Sequence, residues 1–262
     1  MNIHLMGGDE RQLYLAAYIT EKGFPVTYSY LGDDSPPQWK ADLLVLPMPA
    51  SRDGRTLYTP MAEESIGLKE IFEKFRGGRI LGGILPYLPE GMPVTDYGRS
   101  EPLLWGNAAL TAEAAVGLLI QNTPYTLKGE PILILGAGRI GALLGEALQK
   151  LGAKVMLGAR RESQLAPCRC RGLEARHFKD LPLKRFRLVC NTVPARVLDP
   201  ASFKPNTCIL ELASAPFGFD PEECRKHSIQ LLPGQSLPGK WMPESAARLI
   251  GDFILKEMDQ DG

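Results

Sequence analysis

The sequence predicts an α/β protein built from two doubly wound parallel-sheet domains. Short apolar runs alternate with stretches of helical periodicity, and the connections between the runs are at least about ten residues long, as parallel strands require. An apolar run, a glycine turn and a helical stretch follow one another twice, at Gly7-Gly8 and at Gly136. With 262 residues, 44% of them hydrophobic and 23% charged, the chain can bury two cores of about 100 to 150 residues each.

The first half of the chain opens with a predicted strand over residues 2–6. The glycine turn after it leads into a predicted helix, for which Asp9 is a candidate N-cap. The apolar run within residues 42–47 is continuous, which predicts a strand buried on both faces. Residues 61–75 have the periodicity of a helix. The other predicted segments are strands over 25–30 and 79–81 and a loop-rich stretch over 86–102.

The second half begins after a long predicted helix over residues 105–121, which we expect to link the two domains. A strand over 131–135 is followed by a helix whose apolar residues recur at i, i+3, i+4 and i+7. A closing helix over 241–258 is predicted to return to the first domain. Further strands are predicted over 154–157, 187–191, 208–212 and 229–232. The expected boundaries are 1–106 for the first domain, 107–127 for the linker helix, 128–236 for the second domain and 237–262 for the returning helix.

The charge of the chain is balanced in total and uneven along its length. The 30 basic and 30 acidic residues give no formal net charge, which argues against a nucleic acid or a membrane surface as a partner. Residues 126–190, however, carry 13 basic and five acidic side chains, while the segments on either side are acidic. A basic segment of this kind can be a solvated face, or it can attract a small polyanion.

Targeting and cysteine signals are weak. The first ten residues lack a basic stretch followed by an apolar one, and the longest apolar run, 112–120, is too short to span a bilayer. We therefore expect a cytoplasmic protein. Five cysteines are an odd and sparse set for disulfides, and Cys168 and Cys170 have no matching second pair, so we expect reduced thiols and no metal site.

The motif that carries chemistry is G-x-G-x-x-G, formed by Gly136, Gly138 and Gly141 with Arg139 and Ile140 between them. It follows a predicted strand and opens a predicted helix, which is the context of a Rossmann dinucleotide-binding domain. There the first glycine permits a tight turn, the second allows a pyrophosphate to approach, and the third allows helix and strand to pack closely. The alternative is a tight turn with no ligand.

The residues after the next predicted strand favour NADP over NAD. An NAD-binding domain places a carboxylate about 20 residues after the first glycine. Here that position is glycine or alanine, and Arg160, Arg161 and Ser163 follow, which suit a phosphate dianion. Glu162 is the competing acid, and we expect it to start the next helix. Arg139 could lie over the pyrophosphate or face solvent.

Two loops at strand ends are predicted to line the nicotinamide side of this site. They follow the strands over 187–191 and 208–212, because parallel strands present their carboxyl ends at one edge of the sheet. Ordinary turn chemistry is the alternative for both loops. The residues concerned are Asn191, Thr192, Val193, Pro194, Leu212, Ala213 and Ser214.

No acid–base pair is evident in the sequence. The three histidines, His4, His177 and His227, lie near no predicted site loop with a carboxylate, so we expect each to be structural. D-2-hydroxyacid dehydrogenases share this layout but use a histidine near the end of the cofactor domain. Residues 233–241 contain no histidine, which argues against that class.

Motifs along nearly the whole chain resemble the A subunit of dipicolinate synthase from endospore-forming bacteria. The GGD-x-RQL motif at 7–13 and PGQSLPGK at 233–240 are specific, whereas the glycine motif alone is not. Further matching segments are 46–47, 107–113, 135–141, 158–160, 191–194 and 212–214. The chain departs from the family pattern where Leu110 replaces proline, Ala114 replaces glycine and Glu211 replaces aspartate.

This resemblance implies an NADP-dependent oxidoreductase of sporulating bacteria. It would oxidise a dihydrodipicolinate or hydroxytetrahydrodipicolinate precursor, a small dicarboxylate heterocycle, to pyridine-2,6-dicarboxylate (dipicolinic acid). A flavoprotein-like B subunit is the implied partner, the location is the mother-cell cytoplasm, and we expect a homo-oligomer. Two alternatives remain: a non-catalytic cofactor-binding scaffold for the partner, and a dehydrogenase of another small keto or imino acid.

The resemblance and the predicted layout place candidate site residues in the first domain, the linker helix and the returning segment. Polar and cationic groups are needed there for a substrate with two carboxylates. Asp9 could instead be a helix cap, and the role of Glu113 is open. The catalytic candidates are Asp9, Asn107, Thr111, Glu113 and Lys240, and the substrate-binding candidates are Arg11, Ser51, Arg52 and Ser236.

Overall fold

The computed structural model describes residues 1–32 and 35–259, which form two compact units. Unit 1 comprises Met1–Asn107 and Pro238–Gly262, and unit 2 comprises Ala108–Leu237. The strands are β1 (Ile3–Met6), β2 (Val26–Ser29), β3 (Leu43–Val45), β4 (Arg79–Gly82), β5 (Val94–Asp96), β6 (Pro131–Leu135), β7 (Lys154–Ala159), β8 (Glu174–His177), β9 (Leu188–Asn191), β10 (Cys208–Glu211) and β11 (Gln230–Pro233). The helices are α1 (Arg11–Glu21), α2 (Leu68–Lys74), α3 (Glu101–Asn122), α4 (Arg139–Lys150), α5 (Glu162–Cys170), α6 (Pro221–Lys226), α7 (Leu237–Trp241) and α8 (Pro243–Asp259).

Unit 1 is a five-stranded parallel sheet in the order β2-β1-β3-β4-β5 with helices on both faces. On one face, apolar residues of α1 and α8 pack together with Ile3 and Leu5 of β1. On the other face, α2 contributes Leu68 and Ile71 to a second core with Leu44 of β3. The C-terminal helix is therefore part of the core of the first unit, because its apolar stripe completes one layer.

Unit 2 is a six-stranded parallel sheet in the order β11-β10-β9-β6-β7-β8. This is the strand order of a Rossmann domain, whose ligands bind at the carboxyl ends of the strands beside the central strand, here β6. Leu133, Leu135 and Ile209 are buried on one face of the sheet. The predicted fold class, with two doubly wound parallel sheets and a Rossmann domain second, is confirmed.

The structure departs from the predicted segments in several places. The helix expected over 61–75 begins only at Leu68, because residues 56–67 form a bridged loop in which the Leu57 N–H donates to the Ile66 carbonyl at 2.9 Å. Strands β5 and β8 were not expected from the sequence. β5 has three half-buried residues, and β8 is an edge strand with one buried side chain, so neither produces a strong apolar pattern.

Helix α3 contains the division between the units, between Asn107 and Ala108. It is also long and apolar enough, by length and composition alone, to cross a membrane. Core helices of globular proteins pass the same test, and Ala108, Ala112, Ala115 and Leu119 of this helix are buried. The five cysteines are free thiols, and only Cys170 is exposed.

Candidate functional site

The glycine turn of unit 2 connects β6 to α4, and two of its glycines are fixed by close backbone contacts. Gly136 has a φ of 102°, and a Cβ there would lie 2.2 Å from Thr192 Oγ1. A Cβ on Gly141 would lie 2.0 Å from the Gly136 carbonyl oxygen. Any larger side chain at either position would therefore push the turn apart.

The second glycine of the motif faces open space. Gly138 caps the N-terminus of α4 in an extended conformation, and a Cβ there would have no heavy atom within 4 Å. Arg139 and Ile140 are the first two residues of the helix, and both are half-buried. A helix N-terminus beside a glycine with open space in front of it matches the requirement of a pyrophosphate, so the turn fits a dinucleotide.

A cavity of about 370 Å³ lies beside the turn, at the carboxyl end of β7. Arg160 and Arg161 line it together with Gly136 and Val193, and both arginines are exposed. Within residues 1–32 and 35–259, neither guanidinium forms an ion pair or a hydrogen bond. Other lining residues are Ala159, Gln164 and Phe178. Two unpaired guanidinium groups in its lining make this cavity chemically suited to a phosphate group.

Two other residues near this cavity have different placements. Glu162 is the first residue of α5, as expected, and its carboxylate pairs with Arg169. Ser163 is exposed on the same helix and does not line the cavity.

A second groove of about 510 Å³ shares Arg160 with the cavity and extends between α5 and β8. Lys179 lines it and has no ion-pair partner in the part of the chain that the structure describes. Arg169 and Arg176 also line it, but they pair with Glu162 and Glu174. Sequence reasoning missed this groove, as well as Gln164 and Phe178, because β8 gave no strand signal.

The two strand-end loops are held by internal hydrogen bonds. Thr192 Oγ1 donates to the Leu135 carbonyl at 2.8 Å, which ties the loop after β9 to the end of β6. Asn191 is fully buried. Its Nδ2 donates to the Val193 carbonyl at 3.0 Å, and its Oδ1 accepts from the Val193 N–H at 3.1 Å. Leu212 and Ala213 are buried, while Pro194 and Ser214 are exposed. Thr192 and Val193 therefore contact the glycine turn, and the Asn191 side chain fixes the backbone of the loop at Val193.

In unit 1, two motifs that are far apart in sequence meet at the start of α1. Arg11 is only 8% exposed and binds Asp9 with two hydrogen bonds of 2.7 and 2.8 Å, and it donates a third to the Met48 carbonyl at 2.7 Å. A Cβ on Gly239 would lie 2.9 Å from Arg11 Nε. Lys240 follows that glycine and is exposed. Asp9 accepts from the Arg11 N–H at 3.3 Å, although the N-cap position itself is Glu10.

The loop after β3 holds Ser51 and Arg52 in different environments. The Ser51 hydroxyl donates to Asp53 at 2.9 Å and accepts from the Gly54 N–H, so it closes a turn. Hydrogen bonds from Thr56 and from nearby backbone N–H groups lower the pKa of Asp53. Arg52 lies over the ring of Tyr58 at 4.2 Å and donates to its hydroxyl at 2.8 Å. Arg52 is thus an exposed cation held in place by an aromatic side chain.

The helix candidates do not share one face. Asn107 and Thr111 are one turn apart on α3 and follow each other on the same side, whereas Glu113 points about 200° away from Thr111. Thr111 is buried and Glu113 is exposed. Ser236 is exposed and has a φ of 58°. Among residues 1–32 and 35–259, no group of three or more His, Cys, Asp or Glu side chains could hold a metal ion.

Taken with the strand order, the glycine turn and its arginine-lined cavity define a protein of the Rossmann-type dehydrogenase fold. D-lactate dehydrogenase from Salmonella has this fold, with a TM-score of 0.63 over 98% of this chain and 96% of that chain at 11% identity. That likeness concerns the fold alone.

A more specific similarity concerns one family. Residues 2–92 match the model described as the N-terminal domain of the dipicolinate synthase A subunit. The A subunit of dipicolinate synthase from Bacillus subtilis (strain 168) is 29% identical over 283 aligned residues, covering 98% of this chain and 95% of that protein. The crystal structure of the dipicolinate synthase A subunit from Bacillus halodurans has a TM-score of 0.83 at 26% identity, covering 97% and 96% of the two chains. The chain is therefore similar to these proteins over nearly its whole length, and the resemblance seen in its motifs is confirmed.

Proposed function

We propose that this chain is an NADP-dependent oxidoreductase that makes dipicolinate for endospores. Its substrate would be a dihydrodipicolinate or hydroxytetrahydrodipicolinate, its location the cytoplasm of the mother cell, and its partner a flavoprotein-like B subunit. The observation that carries the proposal is the cavity beside the glycine turn, where Arg160 and Arg161 have no counter-charge of their own. The similarity to the dipicolinate synthase A subunit over nearly the whole chain supports the choice of this substrate.

The residues of unit 2 would hold the cofactor. Gly136, Gly138 and Gly141 leave room for the pyrophosphate at the start of α4, and Arg160 and Arg161 would bind the 2′-phosphate of the adenosine ribose. NADP, when bound, would supply the hydride acceptor. The dihydro form would become aromatic by losing a hydride from one ring carbon and a proton from another ring position, and the hydroxytetrahydro form would first have to lose water. Thr192 and Val193 would then fix one wall of the site, because they contact Gly136.

The residues of unit 1 differ in how they could serve the substrate. Arg52 is exposed and stacked on Tyr58, so its guanidinium can bind a carboxylate without breaking a buried pair. Arg11 is bound to Asp9 and to the Met48 carbonyl, so we propose that this pair positions the chain around it. Lys240 follows Gly239, which packs on the pair, and is the second cation that we propose for the substrate.

The cofactor preference is tested by removing both arginines. Arg160→Ala with Arg161→Ala should weaken NADP binding by about 10- to 100-fold and leave NAD binding unchanged, since only NADP carries the 2′-phosphate. Calorimetric titration with both cofactors measures this. Lys184→Ala with Arg185→Ala removes the same charge from positions outside the cavity and should change neither affinity. An equal loss for both cofactors would show that the arginines do not select NADP.

The reaction is tested with enzymatically generated precursor and NADP, with and without the B subunit. Formation of dipicolinate, seen by its ultraviolet absorbance, is the expected result, and no product under either condition would refute the proposed reaction. Gly138→Asp places a carboxylate where the pyrophosphate would bind, so it should abolish product formation. Unchanged activity of Gly138→Asp in the presence of the B subunit would instead favour a scaffold role.

A further inference from the structure

We infer that Glu211 is the positioning residue of the proposed cofactor site, holding both strand-end loops against the glycine turn. It is the last residue of β10, and its side chain is 2% exposed. This inference rests on the proposed function, because it concerns how the same site is kept in shape. Glu211 also stands where the family pattern has aspartate, so no motif pointed to this role.

The carboxylate of Glu211 is hydrogen-bonded on both oxygens. Oε1 accepts from Asn191 Nδ2 at 2.7 Å and from the Ala213 N–H at 3.0 Å. Oε2 accepts from the N–H groups of Gly218 and Phe219 at 3.0 and 3.1 Å. One side chain therefore closes the loop after β10 onto itself and connects it to the end of β9.

The main chain of the same residue binds a third segment. Its carbonyl oxygen accepts from the Gly234 N–H at 2.8 Å and from Gln235 Nε2 at 2.9 Å. Gly218 completes the arrangement, since a Cβ there would lie 2.3 Å from Asn191 Nδ2. Glu211 is thus the common contact of the segments after β9, β10 and β11, at the sheet edge where a Rossmann domain binds its cofactor.

The contacts continue from Glu211 to the cavity through Asn191. The Asn191 amide that donates to Glu211 also donates to the Val193 carbonyl, and its oxygen accepts from the Val193 N–H. Val193 lines the cavity, and its Cγ2 would lie 3.0 Å from a Cβ on Gly136. Fixing the Asn191 amide therefore fixes the cavity wall that faces the glycine turn.

Four donors converge on the carboxylate of Glu211, so an acceptor-only side chain is required there. Burial raises the pKa of Glu211, and the hydrogen bonds from Asn191 and the three N–H groups act in the opposite direction. Glutamine at this position would turn an NH₂ group toward two of these donors. One pair of contacts would be lost, and the loop on that side would move away.

Glu211→Gln should therefore weaken NADP and NAD binding by the same factor, about tenfold. Equal loss is expected because both cofactors share the pyrophosphate and nicotinamide parts, whereas loss of the two arginines affects NADP only. Titration of both cofactors, with thermal unfolding in parallel, measures this. Glu130→Gln is the matched control. Glu130 is also buried, and it is hydrogen-bonded to Arg187, but it precedes β6 and so lies at the amino ends of the strands, away from the proposed site.

The control variant should unfold at a lower temperature with unchanged cofactor affinity. Asn191→Ala leaves the three backbone hydrogen bonds to the Glu211 carboxylate in place. It removes the Asn191 hydrogen bonds to Glu211 and to Val193, so it should give a similar loss of affinity even if Glu211→Gln does not fold. Combining Asn191→Ala with Glu211→Gln should cause little further loss of cofactor affinity, because both substitutions break the same connection. Unchanged affinity in both single variants would overturn the inference, whereas failure of the wild-type protein to bind either cofactor would refute the proposed function itself.

Discussion

Gly239 illustrates how a single residue can connect two motifs of the sequence. The GGD-x-RQL motif contributes the Asp9–Arg11 pair, and the PGQSLPGK motif at 233–240 contributes the glycine that packs against it. A side chain at Gly239 would enter the space of Arg11 Nε and Asp9 Oδ2, at 2.9 and 3.1 Å. The two motifs thus belong together because the pair needs a neighbour without a side chain.

His4 is a second residue whose environment has a measurable consequence. It is fully buried in β1, with Nδ1 2.8 Å from Thr27 Oγ1 and Nε2 3.0 Å from Ser29 Oγ. Burial lowers the pKa of His4 from 6.5 to about 4. The neutral form is therefore favoured by folding, so its contribution is complete above pH 6.5 and is lost as the pH falls toward 4.

We expect the free energy of unfolding to fall by about 3 kcal/mol across this pH range on account of His4. His4→Asn should remove most of that dependence, as measured by urea unfolding at several pH values between 7 and 4. His227→Asn changes an exposed histidine and should follow the wild-type curve. A His4→Asn variant with the full wild-type pH dependence would contradict this assignment.

At the scale of elements, the sequence predicted strands best where they are central. β6 and β9 carry continuous apolar runs because both faces of the sheet are covered by helices. β8 pairs on one side only, and Ala175 is its one buried residue, so apolar periodicity could not reveal it. The start of α2 was missed because backbone pairing with residues 55–57 overrides the helical pattern of 61–67.

The sequence also predicted only part of the candidate site, namely the residues that lie in local motifs. The glycines of the turn and the arginine pair stand in local motifs, so their positions follow from spacing. Glu211 could not be recognised in this way, because its partners come from the ends of other strands and only the fold brings them together. Lys179 was missed together with β8, whose end places it in the groove beside Arg160.

The segment after β8 gives an element-scale prediction. Lys179 lines the groove that shares Arg160 with the proposed cofactor cavity, and it is unpaired within the described part of the chain. Lys179→Ala should weaken NADP binding by about three- to tenfold and leave NAD unchanged, because an exposed cation near a phosphate contributes about 1 kcal/mol. Lys184→Ala is the control, since Lys184 is a lysine of the same basic segment outside the groove. An equal effect of both substitutions would argue against a specific contact.

At the scale of the whole molecule, the zero net charge is the sum of regions of opposite sign. The positive excess lies in residues 126–190, which include the glycine turn, both arginines of the cavity and the groove after β8. A neutral molecule with one basic region does not attract polyanions at every face. It attracts them where the positive charge is concentrated, over about one Debye length.

This charge distribution predicts a difference in salt dependence between the two cofactors. The 2′-phosphate adds about −1.5 to −2 charges to NADP, so its affinity should fall more steeply with sodium chloride than that of NAD. Between about 50 and 500 mM salt, we expect roughly a tenfold loss for NADP and two- to threefold for NAD. In Arg160→Ala with Arg161→Ala the two slopes should become nearly equal, because the groups that distinguish the cofactors are gone. Parallel slopes in the wild-type protein would mean that the basic region is an ordinary solvated face, and its arginines would then have no part in selecting the cofactor.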